Sequence, residues 1–253
     1  MKRNFRILIE YDGTEFHGWQ VQPGQRTVQE ELEKAIETVT KQTIRVYGAG
    51  RTDAGVHALG QVANFFLEED ETGAPPVTAG KLLAGLNALT GDDITVRSVE
   101  EAAETFSSRK GVAAKTYRYR IDNAKFPSPL LRRTHLHVSA PLSIDAMNEA
   151  GRLLEGTHDF TAFRAADFDD SNPVVRDMKQ CIVEKRGSEA TISVVSRGFL
   201  KNMVRIIAGT LLLVGRGKMQ PAEIPAILES RDRTKAGPTA PAHGLVLVNI
   251  EYA

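Results

Sequence analysis

Two hydrophobic periods alternate along this chain. In Phe5–Tyr11 (FRILIEY) every second position is apolar, the period of a strand with one buried face. In Val28–Val39 the apolar positions Val28, Leu32, Ala35, Ile36 and Val39 recur at helical spacing. Thr27 stands where an N-cap belongs, and Glu30 is placed to complete a capping box. Thr43–Tyr47 (TIRVY) and Gln61–Leu67 (QVANFFL) read as strands. Ala79–Leu89 is a second amphipathic helix with Thr78 as its cap, and Ile94–Val99 is a closing strand. The order then repeats. Thr116–Ile121 alternates, Ser143–Leu154 is helical, and Met178–Lys185 and Ala190–Ser196 are strands joined at Arg186-Gly187-Ser188. Leu200–Val214 is a long apolar helix, and Leu245–Tyr252 is the last strand. Two runs of strand, helix, strand, strand, helix, strand predict an α+β protein of two ferredoxin-like halves, residues 1–105 and 106–253.

Between the strands at 43–47 and 61–67 lies Gly48–Ala58, GAGRTDAGVHA. It sets Asp53 among three glycines, with Arg51 two residues before it and His57 four after. Glycine permits positive φ and close approach of another chain. An acid on such a loop beside an arginine can meet a ligand while remaining ionised; a turn whose Asp bonds its own backbone is the alternative. The spacing fits neither GxGxxG nor GxxxxGK[ST], so a nucleotide-cofactor loop is a poor match.

Composition narrows the class. The chain has 253 residues, a formal net charge of zero and one cysteine, Cys181. It shows neither the ~18 unbroken apolar residues of a membrane helix nor a signal-peptide pattern, and a lone cysteine suits a reducing cytoplasm. Cys181 opens the apolar run CIV and reads as a buried strand residue. The charge is unevenly spread. Residues 106–137 hold eight Lys or Arg against one Asp, and residues 197–218 hold five against none. Residues 63–104 hold nine acids against two bases. A chain segregated this way can present a basic face to nucleic acid; solvated charges remixed by folding are the alternative. The six histidines show no metal-ligand spacing.

The glycine loop resembles the active-site motif of the TruA-type tRNA pseudouridine synthases. Tyr11–Gln22 (YDGTEFHGWQVQ) resembles the family's N-terminal segment, and Arg109–Tyr119 (RKGVAAKTYRY) its central one. His158–Phe163 (HDFTAF), Gly198–Arg205 (GFLKNMVR) and Ala240–Leu245 (APAHGL) resemble three later segments in the family's order. Lys110-Gly111-Val112 departs from the usual residues there. The resemblance implies two α/β halves whose sheets join around an active cleft. It also implies a homodimer that isomerises uridine to pseudouridine in the tRNA anticodon stem-loop, at positions 38–40, with no cofactor and no metal.

Asp53 is then the expected nucleophile or base. Arg205 falls at the start of an apolar helix, where a buried charge needs a partner; a snorkelling surface residue is the alternative. The resemblance pairs it with the catalytic aspartate. Tyr117 and Tyr119 share a strand face, where a ring can stack on a base or fill the core. The resemblance assigns Tyr117 to the target uracil. Arg51, His57 and Arg109 complete the candidate substrate contacts, with a structural role for His57 left open. Without a second acid beside Asp53, a carboxylate glycosidase or nucleosidase is a weaker reading. An RNA-binding module without catalysis is the other alternative.

Overall fold

The computed structural model describes residues 2–68, 77–165 and 173–253. The chain divides into two compact units, residues 1–113 with 247–253, and residues 114–246. The sequence reading breaks the chain at 105 and keeps the last strand in the second half, whereas this division comes after 113 and gives 247–253 to the first unit.

The first unit contains β1 (Lys2–Tyr11), α1 (Val28–Thr40), β2 (Tyr47–Gly48), β3 (His57–Glu68), α2 (Ala79–Leu89) and β4 (Ile94–Ala102). β1 pairs antiparallel with both β3 and β4, with Ile7 opposite Ala63 and Val99. β2 pairs antiparallel with β3, Tyr47 opposite Asn64. Alternation in β1 puts Phe5, Ile7, Ile9 and Tyr11 on its buried face, and Phe5 stacks on Phe65 at 5.6 Å. Val28, Leu32 and Ile36 of α1 and Leu82 and Leu86 of α2 are buried over this layer. Here the helical periods are helices, and the alternating periods of β1, β3 and β4 are strands.

The second unit contains β5 (Val112–Asp122, from Ala114 onward), β6 (Leu136–His137), α3 (Ile144–Leu154), β7 (Gly156–Asp159), β8 (Val175–Arg186), β9 (Glu189–Ser196), α4 (Met203–Gly215) and α5 (Ile224–Ser230). β5, β9, β8 and β7 follow one another antiparallel, with Tyr117 opposite Val194, and β6 adds parallel to β5. α4 is apolar all round and almost wholly buried, the pattern of a central helix. It packs against α3, whose Met147, Ala150 and Leu154 are buried. The last strand, β10 (Leu245–Tyr252), returns to the first unit from Leu247 onward.

Two local expectations fail. TIRVY is not a strand. Residues 43–46 carry no ladder, and only Tyr47 and Gly48 pair with β3. Side chains of α1 take the backbone groups instead: the Val46 N–H donates to Glu33 Oε1 at 2.9 Å, and the Val46 carbonyl accepts from Gln29 Nε2 at 3.0 Å. The capping box at Thr27 is also absent. Thr27 begins the helix with extended backbone but makes no side-chain cap, and its hydroxyl is buried without a partner. By contrast, Thr78 caps α2 and Ser143 caps α3.

Thr27→Val therefore reverses the usual sign. A working cap loses about 0.5–2 kcal/mol on substitution. Removing an unsatisfied buried hydroxyl with an isosteric side chain is expected to be neutral or to stabilise by about 1 kcal/mol. Urea unfolding checks it, and a loss of stability would show a cap at work.

Candidate active site

The glycine loop is held by the segment that follows β1. Trp19 N–H donates to the Thr52 carbonyl at 3.1 Å, and Gly55 N–H donates to the Phe16 carbonyl at 3.2 Å. The Tyr11 hydroxyl bonds the Thr52 hydroxyl at 2.8 Å, and the Gln61 amide donates to the Gly50 carbonyl at 2.7 Å. Tyr11, Thr52 and Gln61 are all buried. Burial pushes the Tyr11 hydroxyl up to about 12, against the smaller pull of its bonds to Thr52 and Gln61, so it stays protonated at neutral pH.

Two glycines make this approach possible. Gly18 has φ 89°, and a Cβ there would stand 2.6 Å from the Thr52 carbonyl oxygen. A Cβ on Gly48 would stand 2.5 Å from the Trp19 indole. The indole therefore lies directly on the start of the loop, with the Tyr11 ring 6.3 Å away.

This scaffold presents Asp53 in a half-buried position. The Asp53 carbonyl accepts from Val56 N–H at 3.1 Å, closing a turn whose third residue, Gly55, has φ 76°. Arg51 is exposed. His57 is buried at the head of β3, and its Nδ1 accepts the Gly13 N–H at 3.0 Å. With Nδ1 serving as an acceptor, the neutral ring carries its proton on Nε2. Asp12 Oδ1 lies 3.1 Å from the same nitrogen. This contact joins His57 to the framework of the loop.

Arg109 reaches the loop from the other end of the first unit. Ser108 is fixed through its N–H to Asn64 Oδ1 at 3.0 Å and through its hydroxyl to the Tyr47 carbonyl. Arg109 follows, exposed, with Nε 3.4 Å from the Gly48 carbonyl and its guanidinium 5.8 Å from the Tyr47 ring. Asp53, Arg51, His57 and Arg109 thus belong to one loop and its immediate support.

Tyr117 and Arg205 belong to the second unit. Tyr117 is largely buried on β5, its ring edge-on to Phe199 at 5.2 Å. Arg205 is half-buried in the first turn of α4 and donates from Nε to the Ala240 carbonyl at 2.8 Å and from Nη1 to Asn202 Oδ1 at 3.0 Å. Hydrogen bonds therefore hold it in place. Ala240 N–H donates back to the Arg205 carbonyl at 3.0 Å. Tyr119 donates to the Pro241 carbonyl at 2.8 Å, and burial raises its hydroxyl well above the usual tyrosine range despite the nearby Arg205 charge. Within this unit Tyr117 and Tyr119 share the buried face of β5, and Arg205 is tied to the segment that receives Tyr119. Among the described residues no group of three or more His, Cys, Asp or Glu side chains is arranged to hold a metal ion.

The residues that sequence reasoning missed are the buried supports Tyr11, Trp19, Thr52 and Gln61. The signal for Tyr11 and Trp19 was the segment YDGTEFHGWQVQ, while Thr52 stands inside the glycine loop and Gln61 opens the segment QVANFFL.

Gly48→Ala tests the support. Forcing a methyl into the indole is expected to cost about 1–3 kcal/mol, seen in thermal or urea unfolding. Adding Trp19→Phe removes the opposing atoms, so the double variant is expected to lose less than the sum of the two single losses. Strict additivity would mean that the two residues do not press on one another.

The family profile described as "tRNA pseudouridine synthase" matches residues 7–111 and 150–253. The chain is 46% identical over 250 residues to "tRNA pseudouridine synthase A" of Thermoanaerobacter sp. (strain X514), covering 99% of this chain and 100% of that protein. It is 46% identical over 252 residues to the protein of the same name from Brevibacillus brevis, covering 100% of both chains. The protein of that name from Acetivibrio thermocellus is 44% identical over 250 residues, covering 99% of this chain and 100% of its own. With the matched regions holding both the Asp53 loop and the segments around Arg205, the chain belongs to the tRNA pseudouridine synthase family of isomerases.

Proposed function

We propose that this chain isomerises uridine to pseudouridine in the anticodon stem-loop of tRNA, at positions 38–40, with Asp53 as the reacting carboxylate and with no cofactor. The observation that carries the reading is a half-exposed aspartate on a turn made rigid by the buried Tyr11, Thr52 and Gln61 network. Preorganisation of this kind places a charged group without a reorganisation cost at the moment of reaction.

The target nucleotide must leave its stack, at a cost of a few kcal/mol. Asp53 then engages the ribose, and the bond between C1′ and N1 of the uracil breaks. The freed base turns and its C5 bonds to C1′. The proton on C5 is lost to solvent and N1 gains one, so atoms and electrons balance within the nucleotide. Tyr117 is the proposed contact to the uracil ring, supported by its position on a strand face and its edge contact with Phe199. Arg205 is the proposed cationic residue of the reaction. Arg51 and Arg109, both exposed, are proposed RNA contacts. His57 is proposed to position the loop through Gly13.

The duplicated ferredoxin-like plan is part of the same reading. In the first unit β1 pairs with β3 and β3 with β2, and in the second β5 pairs with β9 and β9 with β8; with the short strands β6 and β7 set aside, these pairings support such a plan. A homodimer is proposed as well, supported by the exposure of Phe126 (73%) and Leu130 (90%), surface of the kind an interface covers. A cytoplasmic setting fits the single, buried Cys181, whose thiol burial pushes up to about 12.

The test uses tRNA tritiated at uridine C5. Wild-type protein is expected to release tritium, and Asp53→Asn to release none while retaining its fold and most of its tRNA affinity. The amide is nearly isosteric but has neither charge nor nucleophilicity. Free uracil instead of tritium would identify a nucleosidase, and binding with neither product would identify a module without catalysis.

A further inference from the structure

The failed strand leaves a groove. Residues 43–46 are bonded to α1, and so stand away from the edge of β3. Gln42 bridges the gap below them, its side chain donating to the Glu68 carbonyl and accepting the Glu68 N–H, each at 2.9 Å. The result is an open groove of about 910 Å³ whose walls include Lys2, Lys41, Arg45, Tyr47, Phe66 and Glu68. A second opening of about 420 Å³ along α1 shares Lys41.

The lining is chemically selective. Among the described residues its lining has three cations and one carboxylate, in a unit whose residues 63–104 are strongly acidic. Lys2 lies 3.5 Å from Glu68 and Arg45 lies 3.6 Å from Glu33. At these lengths, with Lys2 and Arg45 largely exposed, the contacts contribute little, so both cations can be turned to a stronger anion. Lys41 makes no ion pair among the described residues and projects from a left-handed position, φ 62°, at the end of α1. The groove ends at Tyr47, which is 39% exposed and has the Arg109 guanidinium near its ring. The next residue is Gly48, where the loop bearing Asp53 begins. Cations along a groove with an aromatic at its end suit a phosphodiester strand with unstacked bases better than an apolar ligand.

We propose that this groove is an RNA-backbone site, through which Lys2, Lys41 and Arg45 take phosphates of the same tRNA that reaches Asp53. The inference rests on the reading of the Asp53 loop as a tRNA-modifying site. It assigns RNA contacts to residues outside both basic stretches of the sequence.

The test compares two triple variants. Lys2→Gln/Lys41→Asn/Arg45→Gln removes the charges, with asparagine chosen because it accepts the left-handed backbone at 41. Lys2→Arg/Lys41→Arg/Arg45→Lys keeps them. tRNA affinity is measured over a range of salt, with melting temperature as a check on folding. The neutral variant is expected to bind tRNA about tenfold or more weakly, with the slope of log affinity against log salt shallower by about two units for three lost contacts. The charge-keeping variant is expected to retain the wild-type slope. A neutral variant with wild-type slope and affinity overturns the groove alone. Equal losses in both variants overturn it too, because charge would then not be the cause. Polyglutamate serves as a competing probe: if the neutral variant loses polyglutamate and keeps tRNA, the groove takes an acidic protein segment and the proposal falls. A wild-type protein that binds no tRNA and releases no tritium overturns the underlying functional reading instead.

Discussion

Everything proposed for this protein depends on the backbone contact between two loops, residues 13–19 and 48–57. Apart from a single 3-10 turn in the first, and Gly48 and His57 at the strand ends of the second, neither loop has regular secondary structure, so most of their polar groups need partners from elsewhere. Each meets the other's need: Thr52 and Phe16 offer carbonyls, while Trp19, Gly55 and Gly13 offer N–H groups. Side-chain hydroxyls and an amide complete the pairing inside a volume that excludes water. A buried polar network that is fully bonded is rigid, and one that loses a member is costly, so the loops can hold only one mutual arrangement. That constraint sets the turn at Asp53.

The glycines follow from the same contact. Close approach of two irregular backbones leaves no room for a Cβ at Gly18 or Gly48, where a carbonyl and an indole lie within van der Waals distance of where it would be. Trp19 takes the space that a side chain at 48 would need. The two motifs are thus one mechanical object, with the half-buried aspartate set on it.

A comparable logic holds in the second unit. Arg205 lies in the first turn of an almost wholly buried helix, where its charge is not favoured by the helix dipole. It is tied down by the Ala240 carbonyl and Asn202, and Asn202 itself takes a left-handed conformation at the helix start. Tyr119 closes the neighbouring contact through Pro241. Residues far apart in sequence, at 119, 205 and 240–241, therefore share one local frame.

Much was legible in the chain itself. Period two in Phe5–Tyr11 and period 3.6 in Val28–Val39 require one buried face each, and the fold supplies it. Asp53 was marked by the glycine loop around it, where a turn bonding its own backbone stood as the alternative, and its proposed role came from the family resemblance. What the sequence could not determine was the competition for backbone partners. TIRVY has strand composition, yet Gln29 and Glu33, a turn and more away on α1, capture Val46 before β3 can pair with it. Thr27 has the composition of a cap, yet it is buried where its hydroxyl reaches no N–H of the first turn. His57 could have faced solvent, until Gly13 arrived from another loop. In each case the local preference is worth about a kilocalorie or two, and a tertiary hydrogen bond or burial of similar size decides the outcome. Local pattern determined most of the helices and strands; only the packed structure decided where spare donors and acceptors would go, and with them the fate of TIRVY, because those partners come from other parts of the chain.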